Sequence, residues 1–203
     1  MAPDATLTEG PKRVLLHVCC GPCAIYPVEQ SRDQGCEVTG LWFNPNIHPL
    51  SEYLRRREGL LEVAAKFDLN LIMLDREYDP QVYLREVSHR EANRCFHCYS
   101  LRLARTLSVA KRGNFTHISS TLLYSKFQKH DMIAGLGRDL CAKSPVSFLY
   151  QDFREGWSQG IKKSKDWGIY RQQYCGCIYS EYERFSKELA EAVSENEAEK
   201  GSV

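Results

Sequence analysis

Five short apolar runs punctuate the chain: RVLLHV at 13–18, EVTGLWF at 37–43, LNLIML at 69–74, THISS at 116–120 and VSFLY at 146–150. Stretches of helical length and pattern separate them. Ala24 to Gln34 is ended by Gly35, Ser51 to Phe67 has Ser51 as N-cap, and Asp79-Pro80 opens Gln81 to His89. CFHC then starts a helix through Lys111, and a further helix after Tyr124 carries His130, Asp131, Met132 and Ile133. Parallel strands need crossover connections, and those crossovers are right-handed. The alternation therefore predicts a three-layer α/β fold, Rossmann-like, with a parallel sheet of about five strands. In such sheets ligands bind beyond the carboxyl ends of the strands, where CCGPC, NPNIHP and SSTLLYS would sit.

From Gln151 onward the pattern turns polar and aromatic, then ends in an acidic helix from about Ser180 to Glu199. The expected organisation is a flexible N-terminus over 1–12, a single catalytic α/β domain over 13–180, and a C-terminal helix and tail over 181–203. A hydrophobic content of 43% supports a packed core, while a net charge of +1 lacks the footprint of a generic nucleic-acid binder. MAPDATLTEGPK has no signal-peptide pattern, and no apolar run approaches the roughly 20 residues that span a bilayer. The expectation is a cytoplasmic protein with no membrane association.

Nine cysteines in a cytosolic chain call for metal or redox chemistry, because cytosolic thiols stay reduced. Seven fall in three clusters: Cys19, Cys20 and Cys23 in CCGPC, Cys95 and Cys98 in CFHC, Cys175 and Cys177 in CGC. Cys95 and Cys98, three apart at a helix start, can point at one metal, as in zinc and iron–sulfur sites alike. CCGPC occupies the place of a phosphate-gripping loop, with Gly21 for the turn and Pro22 for the helix opening. Adjacent cysteines at a strand end alternate in direction, so Cys19 and Cys20 are not expected to enter the same core. The Cys175–Cys177 pair is open to two readings, an electron shuttle through a strained disulfide or a pair of metal ligands. A [4Fe–4S] cluster takes four thiols, or three with one open iron, which leaves two or three for a redox pair or a second metal. Cys36 and Cys141, standing alone, are read as packing residues.

RVLLHVCCGPC, LWFNPNIHP, a helix with Tyr53 and Arg55 to Arg57, CFHCYSLRL, SSTLLYS and YCGCIYS, in this order, resemble the QueH family of cobalamin-independent epoxyqueuosine reductases. The likeness runs from about Arg13 to Tyr179, and the strand–loop–helix opening also looks like that of the adenine-nucleotide α-hydrolase enzymes. The resemblance implies two-electron removal of the epoxide oxygen of epoxyqueuosine at the tRNA wobble position. It implies a [4Fe–4S] cluster on Cys19, Cys20, Cys95 and Cys98, with Cys175 and Cys177 as a redox-active pair. Some relatives carry an acidic residue where this chain has Cys23, and Cys23, with Cys19 or Cys20 and one thiol of the Cys175–Cys177 pair, would be the ligands of an additional mononuclear iron. The implied partners are tRNA bearing epoxyqueuosine and a low-potential electron donor of unidentified nature.

Asp152, Tyr174 and His17 are possible proton donors, although a histidine inside RVLLHV also suits a satisfied core position. Lys162, Lys163, Lys165 and Arg171, interleaved with Trp157, Trp167, Tyr170 and Tyr174, suit either an unstacked anticodon loop or a solvated basic face. Arg55, Arg56 and Arg57 form a second basic group, spread around a helix. Two other functions compete: an ATP-dependent tRNA-thiolating or adenylating enzyme, and a zinc-stabilised RNA-binding module. CCGPC lacks the unobstructed glycine backbone that close phosphate approach requires, which weighs against the former.

Overall fold

The computed structural model describes residues 10–200, with side chains as far as 194, so the expected flexible N-terminus falls largely outside the described residues. All five apolar runs form strands: β1 (Arg13–Val18), β2 (Glu37–Trp42), β3 (Leu71–Met73), β4 (His117–Ser120) and β5 (Ser147–Phe148). They make one parallel sheet in the order β3-β2-β1-β4-β5. β1 lies at the centre, with Val14 opposite Val38 on one side and His117 on the other. Its Val14, Leu15, Leu16 and Val18 are fully buried because helices cover both faces.

The covering helices are α1 (Gly21–Asp33), α2 (Leu50–Phe67), α3 (Pro80–Val87), α4 (Arg94–Arg112), α5 (His130–Cys141) and α6 (Trp157–Asp166), followed by α7 (Ile178–Lys200). Side-chain alternation along β1 sorts the core into two layers. Val14, Leu16 and Val18 pack with Ile25 and Val28 of α1 and Leu60 and Val63 of α2. Leu15 packs with Leu107 and Ala110 of α4 and Ile118 of β4. Cys36 joins the first layer and Cys141 the second. A third buried group gathers at the carboxyl ends of β1 and β4, and it includes Cys19, Cys20, Cys23, Cys98 and Cys177.

Two helix starts near the site differ from expectation, and one helix was not expected. α1 begins at Gly21, not Ala24, because Pro22 belongs to the first turn, where a missing N–H costs nothing. Cys23 is therefore helical. The N-cap of α2 is Pro49 and not Ser51, with no side-chain cap. α6 was not expected at all: its inward positions include the buried Gly160 and Ser164, which carry no hydrophobic signal. Glycine at 160 is needed because a Cβ there would stand 2.3 Å from the Tyr124 hydroxyl.

α1 and α2 touch backbone to backbone at Gly21. A Cβ on Gly21 would lie 2.2 Å from the Gly59 carbonyl oxygen, an atom that cannot rotate away. Gly21→Ala is expected to destabilise the fold by about 1–3 kcal/mol, the usual cost of overpacking. Urea unfolding measures this; a midpoint equal to that of the unaltered chain would show that the helices separate freely.

Candidate metal centre

Strand order reverses between β1 and β4, and at such a switch point the chain opens a crevice above the strand ends. Cys19 follows β1 there. Its N–H donates to Thr121 Oγ1 at 3.2 Å, and the Thr121 hydroxyl lies 3.4 Å from Cys19 Sγ. The chain bends at Cys19 and enters α1 after Cys20, which ends strand alternation. Against expectation, Cys19 and Cys20 thus share one buried site. The sulfurs of Cys19, Cys20 and Cys23 all lie within 4.8 Å of one another. Hydrogen bonds from Cys20 and Cys23 hold the Cys19 thiol well below its ordinary pKa. Burial pushes Cys20 up, and the shared hydrogen bond to Cys19 pushes Cys23 up. One thiolate is solvated by two thiols.

The other four clustered thiols form a second neighbourhood. Burial pushes Cys98 up to about 12, with the charges of Cys175, Cys177 and Cys95 adding to the effect. Cys95 and Cys98 lie in the first turns of α4, and Cys175 and Cys177 lie on the loop entering α7. That loop is pinned from α2. Arg56 donates to the carbonyls of Tyr174 (3.0 Å) and Cys175 (2.9 Å) and ion-pairs with Glu52 at 2.7 Å, both side chains buried. His48 N–H donates to the Gly176 carbonyl at 2.7 Å. Gly176 has φ +135, a conformation that side-chain-bearing residues rarely adopt. Carboxamides reach both groups: Gln172 Nε2 lies 3.0 Å from Cys20 Sγ, and Gln128 Nε2 lies 3.1 Å from Cys175 Sγ.

Between the two groups lies Arg102, 2% exposed. Its Nη2 donates to Cys98 Sγ at 2.9 Å and its Nε to the Cys98 carbonyl, and no carboxylate pairs with it among the described residues. A guanidinium does not deprotonate, and a buried charge needs a counter-ion. The groups that feel its charge most strongly are Cys98, Cys175 and Cys19. Its charge favours the thiolate form in each, the form in which sulfur binds metal, while burial outweighs it at Cys98 and Cys175 and leaves Cys19 as the thiol held low. The donor set fits a thiolate-bound metal group. Arg102 was legible as the i+4 neighbour of Cys98 on a helix, a signal missed beside the cysteines.

A cavity of about 510 Å³ is lined by Cys19, Cys23 and Cys175 together with Tyr124, Phe127 and Trp157. A sequence-family model described as epoxyqueuosine reductase QueH matches residues 14–183. The chain belongs to the QueH family. A protein of Dehalococcoides mccartyi is 37% identical over 175 residues, covering 86% of this chain and 96% of its own. A Thermotoga maritima protein is 36% identical over 184 residues, covering 86% and 93%. One from Haemophilus influenzae is 35% identical over 183 residues, covering 86% and 74%. Each bears the name epoxyqueuosine reductase QueH. No helix among the described residues is long and apolar enough to cross a membrane.

In this QueH-family chain the predicted substrate-contact residues divide. Trp157, Arg171 and Tyr174 line the cavity. Lys163 pairs with Glu29, Trp167 packs on Phe67 beneath Lys66, and the Tyr170 hydroxyl donates to Glu52. Lys162 and Lys165 stay outside the cavity lining. Arg55 lies over the Tyr170 ring, Arg57 pairs with Asp75, and Arg56 alone of the three reaches the thiol loop. Of the suggested proton donors, His17 is a core residue. Its ring nitrogens meet Ser120 Oγ at 3.0 Å and the Phe43 carbonyl at 3.2 Å, and burial lowers its pKa to about 4. Asp152 caps a turn and binds Arg154, which lowers it to about 2, so it is a carboxylate. Tyr174 is the one that borders the cavity, and its hydroxyl donates to the His48 carbonyl.

Proposed function

We propose that the protein is an epoxyqueuosine reductase acting on the wobble nucleoside of a tRNA anticodon. The observation that carries this reading is the gathering of seven thiols around a buried Arg102 that has no carboxylate partner among the described residues, beside a cavity lined by Cys19, Cys23 and Cys175, in a chain of the QueH family. The reaction takes two electrons and two protons, releases the epoxide oxygen as water and leaves an alkene. The cofactor proposed is a [4Fe–4S] cluster, with an additional mononuclear iron; when bound, such iron sites pass electrons one at a time. The electrons come from a low-potential donor outside the chain. The chain's own part is to hold the thiolates against Arg102, fix the Cys175–Cys177 loop through Arg56, and exclude water beneath the cavity. The opening β1–loop–α1 unit is proposed as kin to that of the adenine-nucleotide α-hydrolase enzymes, with sulfurs where those grip phosphate.

Two ligand assignments follow. In one, Cys19, Cys20, Cys95 and Cys98 hold the cluster, Cys23 serves the second iron, and Cys175 with Cys177 cycle between dithiol and disulfide. The shared neighbourhood of Cys98 favours another, in which Cys95, Cys98, Cys175 and Cys177 hold the cluster and the Cys19–Cys20–Cys23 group takes the additional iron. Iron and sulfide counts on a Cys175→Ser/Cys177→Ser protein separate them. The first assignment predicts an intact cluster, the second its loss.

Function is tested by incubating anaerobically reconstituted protein with a low-potential reductant and tRNA carrying epoxyqueuosine, followed by mass analysis of the nucleosides. The expected product lacks one oxygen atom and keeps its base. Unchanged substrate beside a loaded cluster would sink the proposal. Stoichiometric zinc in a colourless protein would turn it toward an RNA-binding module, and pyrophosphate released from ATP toward an adenylating enzyme.

A further inference from the structure

Phe127 is 84% exposed, an unfavourable placement for a phenyl ring, yet its position is orderly. It stands edge-on to Trp157, with ring centroids 5.8 Å apart, and both rings line the cavity that Cys19, Cys23 and Cys175 also line. Trp157 in turn lies 5.1 Å from the Tyr124 ring, and the Tyr124 hydroxyl donates to the Trp157 carbonyl at 3.0 Å. Phe127 is held by its own N–H, which donates to Ser125 Oγ at 3.3 Å. The result is an aromatic wall braced from within and bare on its outer side. Arg171 borders the same cavity and has no carboxylate partner among the described residues. Gln172 also lines it, and its Oε1 is buried without a partner.

A bare π face beside a free cation, in a cavity with an open acceptor, is the chemistry of a single-stranded nucleotide site. Bases stack on aromatic rings, phosphates meet arginine, and a polar base edge or hydroxyl meets the carboxamide. A duplex keeps its base faces covered and offers nothing to such a wall. We propose that Phe127 and Trp157 form a stacking platform for one unstacked base of a single-stranded RNA loop, with Arg171 meeting a neighbouring phosphate. The platform lines the cavity that the sulfurs also line, and places the nucleotide's substituent beside them. This rests on the reading of the substrate as an anticodon loop, and it adds Phe127, which the sequence did not single out, to Trp157 and Arg171, which it did.

Binding of an anticodon stem-loop RNA to the full chain tests it. Trp157 gives a direct signal, since Trp42 is fully buried and Trp167 packs on Phe67. The expected result is quenching of Trp157 by the stem-loop and none by a fully paired duplex of the same length. Phe127→Ala should weaken stem-loop binding roughly 5- to 150-fold, the range of one lost base stack. Phe127→Tyr should restore it, and Phe127→Leu, apolar without a π face, should not. Unchanged affinity in Phe127→Ala, or equal rescue by leucine and tyrosine, would overturn the platform. The two readings fail separately: RNA affinity that depends on Phe127 without epoxide reduction would remove the reductase and keep the platform, while reduction with affinity indifferent to Phe127 would do the reverse.

Discussion

Replacing Arg56 with alanine is expected to destabilise the fold by about 3–5 kcal/mol, the cost of stranding one member of a buried ion pair. Three groups lose their partner at once: Glu52, whose side chain is buried, and the carbonyls of Tyr174 and Cys175. Glu52 would keep only the Tyr170 hydroxyl. The damage should reach the thiols, because the released carbonyls belong to the segment that carries Cys175 and Cys177. Urea unfolding gives the stability change, and the iron content of the surviving protein reports the loop. Arg56→Lys keeps a charge but not the fork that spans Glu52 and two carbonyls, so it should fall between. Adding Glu52→Gln to Arg56→Ala should recover part of the loss by removing the stranded charge. A single variant as stable as the unaltered chain, with full iron, would show that the loop does not depend on α2.

Arg102→Met is expected to leave a folded chain that holds iron about 10- to 100-fold more weakly, the usual penalty for removing a group that orients or charges metal ligands. Methionine fills the space without bringing a polar group, so the packing loss is small. What goes is the buried cation that favours the thiolate forms of Cys98, Cys175 and Cys19 and that donates to Cys98 Sγ. Without it these thiols gain protons more readily, and protons compete with metal for the same sulfur lone pairs. Competition against a chelator at fixed pH measures the change. Affinity unaltered by the substitution would mean that the thiols need no internal counter-charge.

The strands were legible because apolar runs at the right intervals have few other uses, and β1 was located residue for residue. α6 was hidden because its buried face uses Gly160 and Ser164, residues that fit by being small. The clustered cysteines could be named from their spacing, but their grouping could not. The bend at Cys19 turns what strand geometry would separate into one group of three, and the meeting of CFHC with CGC depends on how α4 and the loop before α7 pack. Arg56 was named only as part of a basic group and Arg102 was passed over beside Cys98, because arginine is usually a surface residue, and burial shows that each is tied to the thiol segments. Phe127 escaped for the opposite reason. A lone phenylalanine reads as core, and here it stands in water.

The thiol site draws on residues 19 to 23, 95 to 98 and 175 to 177, so its parts emerge from the ribosome in three instalments. Until Cys177 has appeared, the sheet can assemble, since β5 ends at Phe148, but the set of sulfurs is incomplete. A cluster proposed on Cys95, Cys98, Cys175 and Cys177 would therefore form only late in synthesis, whereas the Cys19–Cys20–Cys23 group is complete early. A chain cut short after β5 would have its strands and none of the sulfurs of its last instalment.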